Sequence, residues 1–441
     1  MLQFKSSSIM AILNKVFKGS MGIFPRLNIS EKKRLTIQYP FVLLLLFFGM
    51  ILETKGQLQD KSTGITYIEP NDKTGTSLAT VVGDVPLAFT DQIFPVDKSG
   101  KVVGGIDLKE QVTQVFKNLK MSLESGGTDL SKLLRINVYL QNKDHSIPTQ
   151  ELIRELLPEG AFPTITLIVG GQPRENVLLT LDAIALGPVT SESNRGVSLY
   201  EGLTGKSNRS GLAVLPSGRK VFIAGQAEPG KDLLEASDKT MQNLLATLAY
   251  IGASASDVVQ IKAFINPIED AAAVEEVIAT FFRGQKAPPI VMVEWLVEEN
   301  KAEIELIAAA PENQNDKEAV SYYAPPWMIQ ATTYSRVVDI KEGGLLFTSG
   351  LYAEEGKEEE ERARNLFLKL SQILQKAGSS YDHLVKASYY PSHEKGREGL
   401  MKVRTEFYNP ERPPVASLIR IQGTGREEIY LNVDMVGVVP E

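Results

Sequence analysis

Side chains able to do chemistry are sparse in this 441-residue chain. Cysteine is absent, and histidine occurs three times, as His145, His383 and His393. Without cysteine there is no disulfide, no thiol nucleophile and no acylated lipoprotein cysteine. The histidines carry no metal-ligand spacing with acids on one element, so neither a metal site nor metal catalysis is expected. No G-x-x-x-x-G-K-[ST] phosphate loop occurs. No serine sits in a nucleophile elbow, although a Ser-His-Asp set drawn from distant segments stays open. What remains is acid chemistry and polar groups beside glycines. In "AEIEL" (Ala302 to Leu306) carboxylates alternate with aliphatics at the period of a strand. On that alternation Glu303 reads as a solvent-facing residue beside buried Ile304. Trp295 and Trp327 could line a cleft, though core or interface packing is the commoner fate of such side chains.

The elements that must position these residues recur. "GTDLSKLLRINVYL", "GASASDVVQIKAFI" and "GSSYDHLVKASYY" begin at Gly127, Gly252 and Gly378, about 125 residues apart. The prolines of "PTITLIV", "PPIVMVEWL" and "PPVASLIRI", at Pro163, Pro288 and Pro413, keep the same interval. A looser third landmark is "LAFTDQ" ending at Gln92, "VFIAGQ" ending at Gln226 and "LLFTSG" ending at Gly350. This period is the size of a domain, not of a solenoid unit. We divide the chain into a leader (1–56), a linker (57–75), repeat 1 (76–188), a linker (189–199), repeat 2 (200–311), a linker (312–321) and repeat 3 (322–441).

Each repeat reads β-β-α-β-α-β-β. A hairpin-like strand pair is predicted first, as in "SLATVV" and "PLAFTDQIF". A long amphipathic helix follows, at Leu108 to Leu123, Leu233 to Ile251 and Glu359 to Ala377. Apolar residues such as Val115, Leu119 and Leu123 recur there at helical spacing and mark core faces. The glycine landmarks suit helix C′ positions. Second helices are expected near Gln150 to Leu157, at Val274 to Phe282 and at Glu398 to Tyr408. The polar, proline-led joins are long enough to set three domains around an axis.

Charge narrows the partners. Lys and Arg number 47 against 54 Asp and Glu, a net charge of −7 with no basic stripe, so a nucleic-acid surface is not expected. The acidic run Glu358 to Glu361 suits the first turn of a helix. "YPFVLLLLFFGMIL" (Tyr39 to Leu52) follows Lys32, Lys33 and Arg34 in the layout of a secretory signal. It is short for a membrane span, so export is expected, to the periplasm or outside the cell. Because no small-x-small cleavage site follows, an uncleaved anchor stays open as the one membrane contact.

Element order and landmarks together resemble the RidA/YjgF family, whose domains carry "LLFTSGQ", "G-S-x-x-D-V-V-K" and a strand entered through "P-A-R-S". The resemblance covers about residues 76 to 439 as three tandem copies. It implies an α+β, chorismate-mutase-like fold: a mostly antiparallel sheet with two helices on one face. Family members are homotrimers with small-molecule clefts between subunits, so three copies imply an intramolecular pseudo-trimer. The family's deaminases hydrolyse enamines and imines to a 2-oxo acid and ammonia without a cofactor. The "P-A-R-S" arginine holds the substrate carboxylate; by the proline landmark its place falls on Ile165, Ile290 and Val415. The first glutamate of "I-E-I-E-A", which positions the attacking water, matches Glu303. Strand ends place Thr180 and Tyr430 there in the other repeats, with a gap able to move either by two. Thr348, Ser349 and Gly350 match "T-S-G", Gly225 and Gln226 match "G-Q", and Thr90 and Gln92 remain in repeat 1 around Asp91. Tyr334 and Ser335 match a family "Y-S". The expectation is a protein that binds a small, uncharged or weakly acidic metabolite in its clefts. The alternatives are a metal-free imine or enamine deaminase and a non-catalytic scaffold.

Overall fold

The computed structural model describes residues 56–60, 63–189, 196–202, 208–297, 301–311 and 318–440. The apolar segment Tyr39 to Leu52 lies outside them. Among the described residues no helix is long and apolar enough to cross a membrane.

Strands β1 (Gln57–Asp60) and β2 (Ile65–Ile68) come first. Repeat 1 runs β3 (Ala79–Val82), β4 (Leu87–Thr90), α1 (Leu108–Ser125), β5 (Leu133–Leu140), α2 (Ser146–Leu156), β6 (Thr164–Val169) and β7 (Leu179–Leu186). After β8 (Ser198–Glu201), repeat 2 runs β9 (Ser210–Leu215), β10 (Lys220–Gln226), α3 (Leu233–Ile251), β11 (Val258–Ile265), α4 (Ala271–Ala279), β12 (Ile290–Glu294) and β13 (Ala302–Ala309). After β14 (Val320–Tyr323), repeat 3 runs β15 (Val337–Ile340), β16 (Gly344–Thr348), β17 (Leu351–Tyr352) and α5 (Glu359–Lys376). It ends with β18 (Leu384–Pro391), α6 (Glu394–Phe407), β19 (Val415–Leu418) and β20 (Leu431–Val439). The segments expected to be linkers therefore contribute strands: β1 and β2 lie within 57–75, and β8 and β14 sit at the ends of the other two.

Local chemistry explains the long helices. Asp107 and Asp232 cap α1 and α3 by accepting from the backbone N–H of Glu110 and Glu235. All three long helices stop at the landmark glycines, whose φ values of 74°, 86° and 77° at Gly127, Gly252 and Gly378 lie in the left-handed region. Val115, Leu119 and Leu123 of α1 and Leu244 and Leu248 of α3 are fully buried. Each long helix packs on the strands of its own repeat and on one strand received from another.

The hairpins expected at the start of each repeat do not form. Instead β3 pairs with β16 of repeat 3, β9 with β4 of repeat 1, and β15 with β10 of repeat 2. The two opening strands of a repeat thus belong to different sheets, and the short turn between them passes from one sheet to the next. Alternation marks a strand but does not choose its partner. The hairpins present are β2–β3, β8–β9 and β14–β15. Three mixed sheets result, in the orders β6-β5-β7-β4-β9-β8, β12-β11-β13-β10-β15-β14 and β1-β2-β3-β16-β20-β18-β19, with β17 also on β20. Each has one parallel pair, β5–β6, β11–β12 or β18–β19, and is otherwise antiparallel. Strand sharing is cyclic: each repeat gives its first strand to another and receives one. The faces turned away from the helices meet in apolar clusters drawn from all three repeats. Phe89, Leu134, Phe222, Val259, Phe347 and Val385 share one, and Tyr139, Phe264, Trp295 and Tyr390 share another.

Candidate functional site

The seams between the repeats are where the sequence-derived positions collect, and the three seams differ. Cross-strand register defines their equivalent residues. Tyr139, Phe264 and Tyr390 stand opposite Thr180, Glu303 and Asn432. The repeat 3 counterpart of Glu303 is therefore Asn432, two residues from Tyr430, because the loop before β20 is longer.

At the seam of repeats 2 and 3, the Glu303 side chain lies over Gly225. A Cβ at residue 225 would stand 2.1 Å from Glu303 Oε1 and 2.6 Å from its Cδ, so only glycine leaves the carboxyl its place. Oε1 is shielded from solvent and has no hydrogen-bond partner. That oxygen therefore does not face bulk water, although the residue as a whole is half-buried. Burial pushes its pKa up to about 8; Ser417, Lys386 and Arg336 favour the ionised form but are outweighed, and Glu305 adds to the rise. Ser417 Oγ donates to Glu305 Oε2 at 2.7 Å, and Lys386 closes a buried ion pair with Glu305. Two carboxyls of repeat 2 thus meet a hydroxyl and a lysine of repeat 3, with one carboxyl oxygen unspent.

At the seam of repeats 1 and 2 the place that faces Thr180 is filled by a side chain. Gln92 occupies the position of Gly225 and Gly350: the residue after each of the three pairs with the last strand, Ile93 with Leu181, Gln226 with Ile304 and Leu351 with Val433. Its Nε2 donates to Thr180 Oγ1 at 2.9 Å and to the Met292 carbonyl at 3.2 Å, while Oε1 accepts from Met292 N–H at 3.0 Å. A space of only about 10 Å³ is left beside Gln92, Tyr139 and Met292. Lys262 and Asp182 form a buried ion pair at 3.3 Å across this seam.

The seam of repeats 3 and 1 is closed by polar contacts. Ser349 Oγ accepts from Ile165 N–H at 3.1 Å, Gly350 N–H donates to the Ile165 carbonyl at 3.0 Å, and Asn432 Nδ2 donates to the Leu167 carbonyl at 2.9 Å. Thr348 Oγ1 accepts from Met435 N–H, as Thr90 Oγ1 does from Ala183 N–H, both at 2.9 Å within their own sheets. Arg135 pairs with Asp434 at 3.2 Å and donates to the Thr348 and Met435 carbonyls.

Register also corrects the three aliphatic positions. Thr164 stands opposite Arg135 and Val415 opposite Lys386, each beside the bulge of its strand. The proline landmark of repeat 3 is therefore one residue out of step, and Ala416 is the counterpart of Ile165 and Ile290. The Ile165 and Ile290 side chains pack in their own repeats' cores and reach the seams only through backbone groups. Val415 lies in the shared apolar cluster. Tyr334 is half-buried under Arg336, whose guanidinium lies 5.0 Å from its ring, and Gln226 Nε2 approaches Thr247 Oγ1 at 3.4 Å. Trp295 is buried and Trp327 exposed. His383 bonds the Ser380 hydroxyl and His393 stacks on Tyr430; among the described residues no acid or histidine group could hold a metal ion. Sequence reasoning missed Lys386, Glu305 and Ser417. Glu305 was legible as the second acid of "AEIEL", whereas Lys386 and Ser417 join it only through packing between repeats.

Fold and site define a protein of three tandem sheet-and-helix repeats with polar seams between them. The sequence model of the endoribonuclease L-PSP family matches residues 77–186, 210–310 and 328–436, and the chain belongs to this family as a tandem RidA/YjgF-like protein. It is 33% identical over 92 residues to a RutC family protein of Pyrococcus horikoshii, covering 21% of this chain and 71% of that one. A RutC family protein of Pyrococcus abyssi is 32% identical over 92 residues, with the same coverage. A solved YjgF family member from Neisseria meningitidis is 19% identical, with a TM-score of 0.21, covering 28% of this chain and 96% of its own.

Proposed function

We propose that the seam between repeats 2 and 3 binds a small metabolite that is uncharged at the contacting end, and that Glu303 is the group that recognises it. The observation that supports this is the shielded, unpartnered Oε1 of a carboxyl held over Gly225. With its pKa near 8, this carboxyl keeps its proton at neutral pH and can donate to a carbonyl or imine acceptor. A carboxylate placed there would meet Glu303 and Glu305, and Lys386 is already paired; Arg336 is the cation left to oppose that repulsion. The repeats act together as an intramolecular pseudo-trimer, in which covalent linkage raises the effective concentration of the partners and lets each seam diverge. Occupied polar positions at the other two seams fit that divergence.

The test is a thermal-shift comparison of 2-oxobutanamide with 2-oxobutyrate on residues 57–441. Stabilisation by the amide that is lost in Glu303→Ala supports the reading; stabilisation by neither ligand leaves a scaffold, and a preference for the acid contradicts it. A second reading, imine or enamine deamination, is favoured by one further point: an acid with a pKa near the working pH is suited to proton transfer. Ammonia release from a freshly generated 2-imino acid, above the spontaneous rate and sensitive to Glu303→Ala, would establish it.

A further inference from the structure

Two corners of the molecule, where a long helix ends beside a strand that precedes a repeat, are equivalent in place and opposite in chemistry. Tyr323 of β14 and Ile68 of β2 match, because each pairs with the first residue of the strand that follows, Val337 or Ala79. Counted back from Gly252 and Gly378, Tyr250 of α3 matches Lys376 of α5. At the β2 corner the contacts are polar: Glu69 N–H donates to the Gly56 carbonyl at 2.6 Å, and Lys376 pairs with the Glu69 carboxylate. At the β14 corner they are aromatic. Tyr250 meets Tyr323 and Trp327 edge-on, with ring centroids 6.4 and 5.5 Å away. A turn closed by Met328 N–H on the Pro325 carbonyl at 2.9 Å holds Trp327 in that position. The cluster is not a core: Tyr250 is 50% exposed, Trp327 54% and Ile329 83%. Large apolar side chains grouped on the surface mark a contact face.

We propose that this face rests on a lipid bilayer, with Trp327, Tyr250 and Ile329 entering the headgroup boundary. The inference rests on the pseudo-trimer reading: a rotation that superposes the repeats carries one corner onto the other, so both lie at one end of the body. The polar corner is where the chain enters that body, since Gly56 follows the apolar run Tyr39 to Leu52 by four residues. Trp and Tyr settle at a membrane boundary because each joins an apolar ring to an N–H or O–H that stays wet. The net charge of −7 and the C-terminal ends of α3 and α5 on this side select a zwitterionic surface over an anionic one.

The test is tryptophan fluorescence of the full chain reconstituted with phosphatidylcholine vesicles, with and without bromine on the upper acyl carbons. The chain has two tryptophans; buried Trp295 supplies the baseline, isolated in Trp327→Phe. Interfacial side chains sit about 5–10 Å into the headgroup and acyl boundary, within reach of the bromines. Trp327 emission should therefore move to the blue and fall at least twofold with brominated lipid, while Trp327→Phe is unquenched. Equal Trp327 emission in plain and brominated vesicles, or a chain that does not float with the vesicles, would overturn the proposal. A blue shift that grows with protein concentration in lipid-free buffer would overturn it as well, because a second copy would then cover the face. Light scattering of residues 57–441 reads the pseudo-trimer separately, as a monomer mass, so missing quenching with a monomeric body counts against the membrane contact alone.

Discussion

Replacing Glu303 by Gln should change how stability depends on pH, and the size follows from the seam. The folded protein holds the Glu303 proton up to about pH 8, whereas the unfolded chain releases it near the ordinary value of 4.5. Between those values the folded state binds more protons, so this group makes the protein less stable as pH rises through the interval. Above about pH 8 the loss is complete, because the carboxylate is then ionised in both states. A shift of this size corresponds to a ceiling of about 5 kcal/mol at 1.36 kcal/mol per unit. Water entry and movement of Lys386 toward the new charge would reduce it to roughly 1–3 kcal/mol. Glutamine keeps the shape and cannot ionise. Urea unfolding of both proteins at pH 5, 7 and 9 should show that Glu303→Gln gains about 1–3 kcal/mol on the unmodified protein between pH 5 and pH 9. Asp91, whose pKa burial raises to about 6, contributes equally to both and cancels. Parallel pH profiles would refute the reasoning, because they would mean that the carboxyl is solvated.

The other expectations concern the seams. Gly225→Ala drives a methyl into the Glu303 carboxyl and should cost about 1–3 kcal/mol by thermal or urea unfolding; combining it with Glu303→Ala should recover part of that loss, a coupling visible in the double-mutant cycle. Asp434→Asn leaves Arg135 buried without its carboxylate and should cost about 3–5 kcal/mol in urea unfolding. Gln92→Leu strands the Met292 N–H that it accepts from and should cost about 1–3 kcal/mol, with no change in any Glu303-dependent ligand response.

Periodicity made the long helices legible to within a few residues, because an apolar stripe and a left-handed glycine, and in α1 and α3 an aspartate cap, all act within one segment. The glycines at 127, 252 and 378 reported the repeat for the same reason: only a residue without Cβ takes that backbone conformation cheaply. Pairing of the opening strands was not legible. β3 and β4 each read as a strand, but joining different sheets depends on contacts hundreds of residues away. Register suffered likewise: Pro413 kept the interval while β19 shifted by one, and the longer loop before β20 moved Asn432 to the place expected for Tyr430. Glu303 and Gly225 were visible separately, and their stacking was not. The plugging by Gln92 arises from packing between repeats that no local pattern encodes.

The account rests most heavily on a protonated Glu303 that faces a ligand. Its most direct test is a carbon-13 NMR pH titration of the protein labelled at glutamate side-chain carboxyls, assigned with Glu303→Gln and repeated with 2-oxobutanamide. The account predicts one carboxyl titrating near pH 8, moving higher when the amide is present because the protonated form donates to it. A Glu303 resonance that titrates near 4.5, or one that the amide leaves unmoved, would contradict it.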